Sequence, residues 1–199
     1  MHWPRAVLWL LLAFPAMLMV ERYLSGEALA LELYHPTGEW SLRLMIAALL
    51  PGPLIDTFGS NRLLRGWLSI RRNLGVAAFL YALLHLVFYV LDMRLISAMV
   101  EEMAIPAIWT GWLAFAALLV PAAISTDRAM RSLGSRWKRL QRLVYPAFIL
   151  AIGHWLLIGW DWLPALVHLA PLFAVWLLRL IAVRRSNPVK EQTRPCAPH

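Results

Sequence analysis

Residues 71–91 read RRNLGVAAFLYALLHLVFYVL, from Arg71 to Leu91. The stretch opens with two arginines and an asparagine. It then runs apolar for most of a membrane thickness and is broken once, by His85. A second apolar run, Leu143 to Ile158, also follows a basic cluster and also carries one histidine, His154. An ionisable side chain inside a membrane span is costly and marks a functional site by default. Two of them at matching depth point to one shared ligand.

Composition agrees with a membrane protein. Of 199 residues, 61% are hydrophobic, the mean hydropathy is +0.63 and there are 11 Trp, whereas a soluble domain is about 45–50% apolar. A helix needs roughly 20 apolar residues to cross the hydrocarbon core. Six candidate spans follow: Ala6 to Val20, Leu42 to Phe58, Leu74 to Leu91, Ile105 to Ile124, Leu143 to Ile158 and Leu163 to Val183. The fold expected is an all-α bundle of six transmembrane helices over residues 1–185, with residues 186–199 a disordered cytoplasmic tail. No internal repeat is read.

Charge orients the bundle. Arg62, Arg65, Arg71 and Arg72 precede span three. Arg128, Arg131, Arg136, Lys138, Arg139 and Arg142 lie between spans four and five. Further basic residues are Arg5 at the N-terminus and Arg184, Arg185, Lys190 and Arg194 in the tail. The opposite loops hold Glu21, Glu27, Glu32, Glu39, Asp92, Glu101, Glu102 and Asp161. Basic loops stay in the cytoplasm, so both termini are expected there. Arg5, the first apolar run and Ala28-Leu29-Ala30 also fit a signal peptide loosely; removing it would invert the charge pattern.

Spans three and five run in the same direction. From Arg72 to His85 is about 20 Å of helix, and from Arg142 to His154 about 18 Å. The imidazoles therefore share one level, past the midplane toward the outer face. Two histidines facing each other can clamp one iron through both axial positions, and haem iron takes neutral imidazole. The lone cysteine, Cys196, excludes an internal disulfide, and the chain has no C-x-x-C-H, so any haem is held noncovalently. Phe79, Tyr81, Phe88, Tyr89, Phe148 and Trp155 supply apolar surroundings. Gly75 and Gly153 offer close approach to a helix backbone. The competing reading of a lone intramembrane histidine is a helix–helix hydrogen bond. A reading from another class is a transporter or channel whose His pair handles protons or a metal.

Other motifs complete the picture. His35-Pro36-Thr37-Gly38 reads as a turn before span two, with Thr37 or Ser41 capping the next helix; His35 is alternatively an outer-face contact for a partner or quinol. His168 reads as a packing residue, a haem neighbour or an accessory ligand. Arg71, Arg72 and Trp137 are candidates for holding FMN or quinone, against a plain positive-inside role.

The chain resembles the MsrQ family, the haem-binding membrane subunits of the periplasmic protein-methionine-sulfoxide reductase system, in the ferric-reductase-like transmembrane superfamily. The likeness rests on His35-Pro36-Thr37-Gly38, Arg71-Arg72-Asn73-Leu74-Gly75 and Leu84-His85-Leu86. It continues through Ser125-Thr126-Asp127, Leu133-Gly134-Ser135-Arg136-Trp137 and Leu140-Gln141-Arg142-Leu143-Val144-Tyr145 to His154. It implies an electron-transfer subunit of the bacterial inner membrane that carries haem b and FMN. Electrons would come from the quinone pool or a cytosolic flavin reductase and pass to a periplasmic molybdenum-containing subunit that reduces methionine sulfoxide, with His85 and His154 as axial ligands. Some relatives carry a second histidine where this chain has Gln141, and Arg72 holds the matching position before His85; one haem is therefore expected.

Overall fold

The computed structural model describes residues 3–159 and 162–186. Trp160, Asp161 and the tail from Asn187 to His199, Cys196 included, lie outside the described residues. Among the described residues, six helical stretches are long and apolar enough to cross a membrane: Arg5–Leu24, Ala30–Phe58, Arg62–Met93, Pro106–Ala123, Ser135–Gly159 and Trp162–Ile181. The helices are α1 (Trp3–Leu24), α2 (Tyr34–Leu49), α3 (Pro51–Phe58), α4 (Arg62–Met93), α5 (Ile96–Glu102), α6 (Pro106–Ala123), α7 (Asp127–Leu133), α8 (Ser135–Gln141), α9 (Val144–Gly159) and α10 (Trp162–Ser186).

Two helices differ from the expected boundaries. The arginine-rich stretch before span three is helical: α4 starts at Arg62, where the Asn61 side chain caps it by accepting from the Leu64 amide at 2.8 Å. The His35-Pro36-Thr37-Gly38 motif is not a turn. It forms the first helical turns of α2, where Pro36 is tolerated because amides at a helix start have no intrahelical partner to lose. Neither Thr37 nor Ser41 is a cap. Thr37 is fully buried and its Oγ1 donates to the Leu33 and Tyr34 carbonyls, at 2.5 and 3.0 Å. Ser41 donates instead to the Ala78 carbonyl on α4, at 2.8 Å.

The packing is dominated by two antiparallel pairs, α2 with α4 and α6 with α9. Ala77, Ala78 and Ala147 are almost fully enclosed, so small side chains let these helices approach. Helix α1 joins through Tyr81 of α4, whose hydroxyl accepts from the Ala16 amide and donates to the Leu12 carbonyl. The outer surfaces of α1 and α10 stay apolar and exposed, as at Leu10, Leu11, Leu163 and Phe173. That is the surface a helix turns to lipid.

The two pairs repeat one another, which corrects the expectation of no internal repeat. Ala78-Phe79, Ala82 and His85 on α4 recur at the same spacing as Ala147-Phe148, Ala151 and His154 on α9. Thr37-Gly38 on α2 recurs as Thr110-Gly111 on α6. Both pairs run in the same sense, so the repeat is parallel.

Candidate functional site

The repeated pairs together line one cavity of about 660 Å³. His85 and His154 both line it, with ring centres 6.1 Å apart and planes at 87°. The depth match read from the sequence thus brings the two imidazoles together. Metal–imidazole bonds are about 2 Å, so an ion between two imidazoles needs ring centres roughly 6 Å apart once half of each ring is added. The observed separation has that size.

Each ring is pinned through Nδ1. His85 Nδ1 lies 2.9 Å from the Tyr34 carbonyl oxygen on α2, and His154 Nδ1 lies 2.6 Å from the Ala107 carbonyl oxygen on α6. A carbonyl only accepts, so both Nδ1 atoms carry the proton and both lone pairs sit on Nε2. This is the arrangement in which a backbone acceptor fixes the tautomer and orientation of a metal-binding histidine. A planar metal macrocycle fits the donor set and the apolar lining.

The cavity walls follow the repeat. Gly38 on α2 corresponds to Gly111 on α6, Leu42 to Phe115 and Met45 to Leu118, and all of them face the cavity. A Cβ on Gly38 would lie 3.3 Å from His85 Nδ1; a Cβ on Gly111 would lie 2.7 Å from both Nδ1 and Cε1 of His154. Close approach to a helix backbone therefore occurs at Gly38 and Gly111. Gly75 and Gly153, expected in that role, do not line the cavity, and a Cβ on either would meet nothing within 4 Å. Sequence reading passed over Gly111 altogether. The usable signal was the second Thr-Gly pair.

The aromatic residues divide by role. Tyr89 and Trp155 line the cavity, and Phe79 stacks on the cavity residue Phe115 at 5.4 Å. Tyr81 faces α1, Phe88 packs edge-on against Tyr23, and Phe148 is core.

The acidic end of the cavity carries the polar groups. Tyr34 donates to Asp92 at 2.6 Å and Tyr89 to Glu102 at 2.8 Å. His35 is 67% exposed and meets Trp155 edge-on at 5.6 Å. Glu39 binds Arg43 at 2.7 Å and lies 3.1 Å from His168 Nε2. His168 donates from Nδ1 to the Pro164 carbonyl at 2.7 Å and accepts from Arg43 Nε at 3.0 Å. Its ring does not line the cavity.

The residues expected to hold FMN or quinone lie at the other end. Arg72 pairs with Asp127 at 2.5 Å, and the Trp137 indole donates to the Ile124 carbonyl at 3.1 Å. Gln141 donates to the Pro121 carbonyl and to Ser125. Arg71, Arg72 and Trp137 do not line the cavity.

A six-helix bundle that turns two backbone-pinned imidazoles into one apolar cavity defines a class of membrane protein built around a histidine clamp. The family model of the ferric reductase like transmembrane component matches residues 37–152. A Brucella ovis protein named as the protein-methionine-sulfoxide reductase heme-binding subunit MsrQ is 37% identical over 165 residues, covering 81% of this chain and 72% of the relative. Proteins of the same name from Rhizobium meliloti and Xanthomonas campestris are each 41% identical, covering 61% and 65% of this chain. The chain spans 55% and 60% of the length of those two relatives. It belongs to the ferric-reductase-like transmembrane family and, within it, to the MsrQ proteins.

Proposed function

We propose that this protein is a haem b electron-transfer subunit of a membrane methionine-sulfoxide reductase system, with His85 and His154 as the axial ligands of a single haem. The observation that supports it most is the pair of facing imidazoles, each with Nδ1 committed to a carbonyl and Nε2 left for a metal. The relatives' printed name, heme-binding subunit, agrees.

Haem iron supplies one-electron chemistry, changing oxidation state without a proton or bond transfer by the protein. The chain's own residues hold and orient it. The Tyr34 and Ala107 carbonyls fix both imidazoles, and Leu42, Met45, Phe115 and Leu118 give the cavity an apolar wall. Hydrogen bonds from Nδ1 to a carbonyl make an imidazole a more basic ligand, which favours the oxidised metal and makes the reduced centre a better donor.

The reading extends to topology and partners. The basic end faces the cytoplasm of a bacterial inner membrane with both termini there, as the positive-inside rule requires. The acidic end, with His35, Asp92 and Glu102, faces a periplasmic molybdenum-containing subunit that reduces methionine sulfoxide. Electrons enter from the quinone pool or a cytosolic flavin reductase. FMN belongs at the basic end, where its support is charge alone, from Arg71 and the cluster Arg128 to Arg142. Arg72 and Trp137 are already engaged there.

The test is a reduced-minus-oxidised absorption spectrum of the purified protein beside His85→Ala and His154→Ala. Sharp b-type bands in the parent, lost or severely weakened in both variants, are expected. A folded parent without haem bands would remove the reading.

A further inference from the structure

The two imidazoles are held by the same local device, used twice. On α2, the Tyr34 carbonyl accepts from His85; Thr37, three residues on, bonds back to that carbonyl and to Leu33; Gly38, four residues on, faces the ring. On α6, the Ala107 carbonyl accepts from His154. Thr110 bonds back to it at 2.7 Å and to Pro106 at 2.9 Å, and Gly111 faces the ring.

The spacing has a physical reason. In an α-helix residue i+4 stands one turn above the carbonyl of residue i. A side chain there blocks the approach of any outside donor to that carbonyl. A residue at i+3 flanks the same carbonyl. A threonine there folds its hydroxyl back onto the helix and shares the same carbonyl with the imidazole, which a carbonyl with two lone pairs permits.

We propose that Thr37-Gly38 and Thr110-Gly111 are the positioning elements of the cavity, and that Gly111 is the one the clamp cannot lose. The proposal rests on the haem reading for its consequence, but the seat itself is a property of the chain. The two halves differ in tolerance. At Gly38 a methyl group would press on His85 at 3.3 Å, which a small shift relieves. At Gly111 it would stand 2.7 Å from two atoms of His154, and the ring must leave the Ala107 carbonyl. The three nearest neighbours of that methyl are all His154 atoms, so the closest clash is with the ligand itself.

The experiment compares Gly111→Ala and Gly38→Ala with Gly75→Ala and Gly153→Ala, which add the same methyl where nothing lies within 4 Å. Haem per protein and the low-spin bis-imidazole spectrum are read in detergent. Gly111→Ala is expected to lose about tenfold or more in haem content, the range for losing an outer-shell partner of a metal ligand. Gly38→Ala keeps the low-spin spectrum with a smaller loss, and the two controls match the parent. Gly111→Ala indistinguishable from Gly153→Ala overturns the proposal.

A second comparison separates a seat from a general folding defect. His154→Gly removes the ring that the methyl would strike. In that background the Gly111→Ala methyl meets no ring, so its effect on the chain is expected to vanish. Thermal unfolding of haem-free protein reads the same coupling. Gly111→Ala lowers the midpoint in the parent and not in the His154→Gly background. A parent that binds no haem yet shows this coupling refutes the functional reading and leaves the seat standing; no coupling refutes the seat.

Discussion

Ser41 on α2 donates its hydroxyl to the Ala78 carbonyl on α4 at 2.8 Å, while the residue matching Ser41 in the second pair is Ala114, which has no hydroxyl to donate. The two halves of the clamp therefore differ: a hydroxyl bonds across the first pair, and the matching position of the second offers none. Ala78 is fully enclosed and Ala147 is 1% exposed. Ser41→Ala should cost only about 1 kcal/mol, the usual worth of an interhelical hydrogen bond in a membrane protein, and leave haem binding intact.

Overpacking the same contact has a larger effect. Ala78→Val or Ala147→Val inserts two methyl groups between helices that touch, at a cost of roughly 1–3 kcal/mol. Each alanine lies two helical turns below its histidine, so separation there tilts the ring away from its carbonyl. Reduced thermal stability together with loss of the low-spin spectrum is expected in both variants. Full retention of the spectrum would show that the histidine end is insulated from the alanine end.

His168 is engaged on both nitrogens, with Pro164 and with Arg43, and its ring does not face the cavity. His168→Ala should therefore preserve the axial spectrum. Its loss should be felt through Glu39 and Arg43. Glu39 is 18% exposed and holds Arg43, so Glu39→Leu leaves a half-buried cation with reduced compensation. A cost of about 2 kcal/mol is expected, below the 3–5 kcal/mol of a fully buried pair because Arg43 is 43% exposed. Glu39→Leu/Arg43→Leu should recover part of that loss in a thermal or denaturant titration.

Much of this architecture was legible in the sequence, and the reasons for the rest are specific. Six spans, the charge asymmetry and the depth match of His85 and His154 all depend on side-chain type and spacing, which the chain displays directly. The seats depend on carbonyls and on missing side chains. Tyr34 and Ala107 contribute backbone oxygens, so their identities carry no sign of the role. Gly111 contributes an absence, and only the packing of α6 on α9 gives that absence a neighbour. His35-Pro36-Thr37-Gly38 misled because Pro and Gly mark turns in most chains, whereas here Pro36 opens a helix and Gly38 clears a path for His85. The parallel repeat was present as Ala-Phe and His at one spacing, but short apolar matches stand out only once α4 and α9 are seen to do the same work.

Arg72 and Asp127 tie α4 to the first turn of α7, and the tie depends on pH. The Arg72 guanidinium, by hydrogen bond and then by charge, holds the Asp127 carboxyl below the usual carboxylate range. A carboxyl whose value is depressed in the folded state stabilises the fold above its unfolded value, and that contribution is lost as pH falls through the lowered one. The pair is exposed, so its effect is small and screened by salt. Thermal midpoints of the parent and Asp127→Asn should differ slightly at neutral pH and low salt. They should converge as pH drops below the ordinary carboxylate range, and at neutral pH in high salt. Arg72→Ala should reproduce the Asp127→Asn loss without adding to it in the double variant. Because Arg72 is spent on this tie, Arg72→Ala should leave bound flavin, measured by fluorescence after release, at the parent level; a drop in flavin without a change in stability would return Arg72 to the phosphate-binding role.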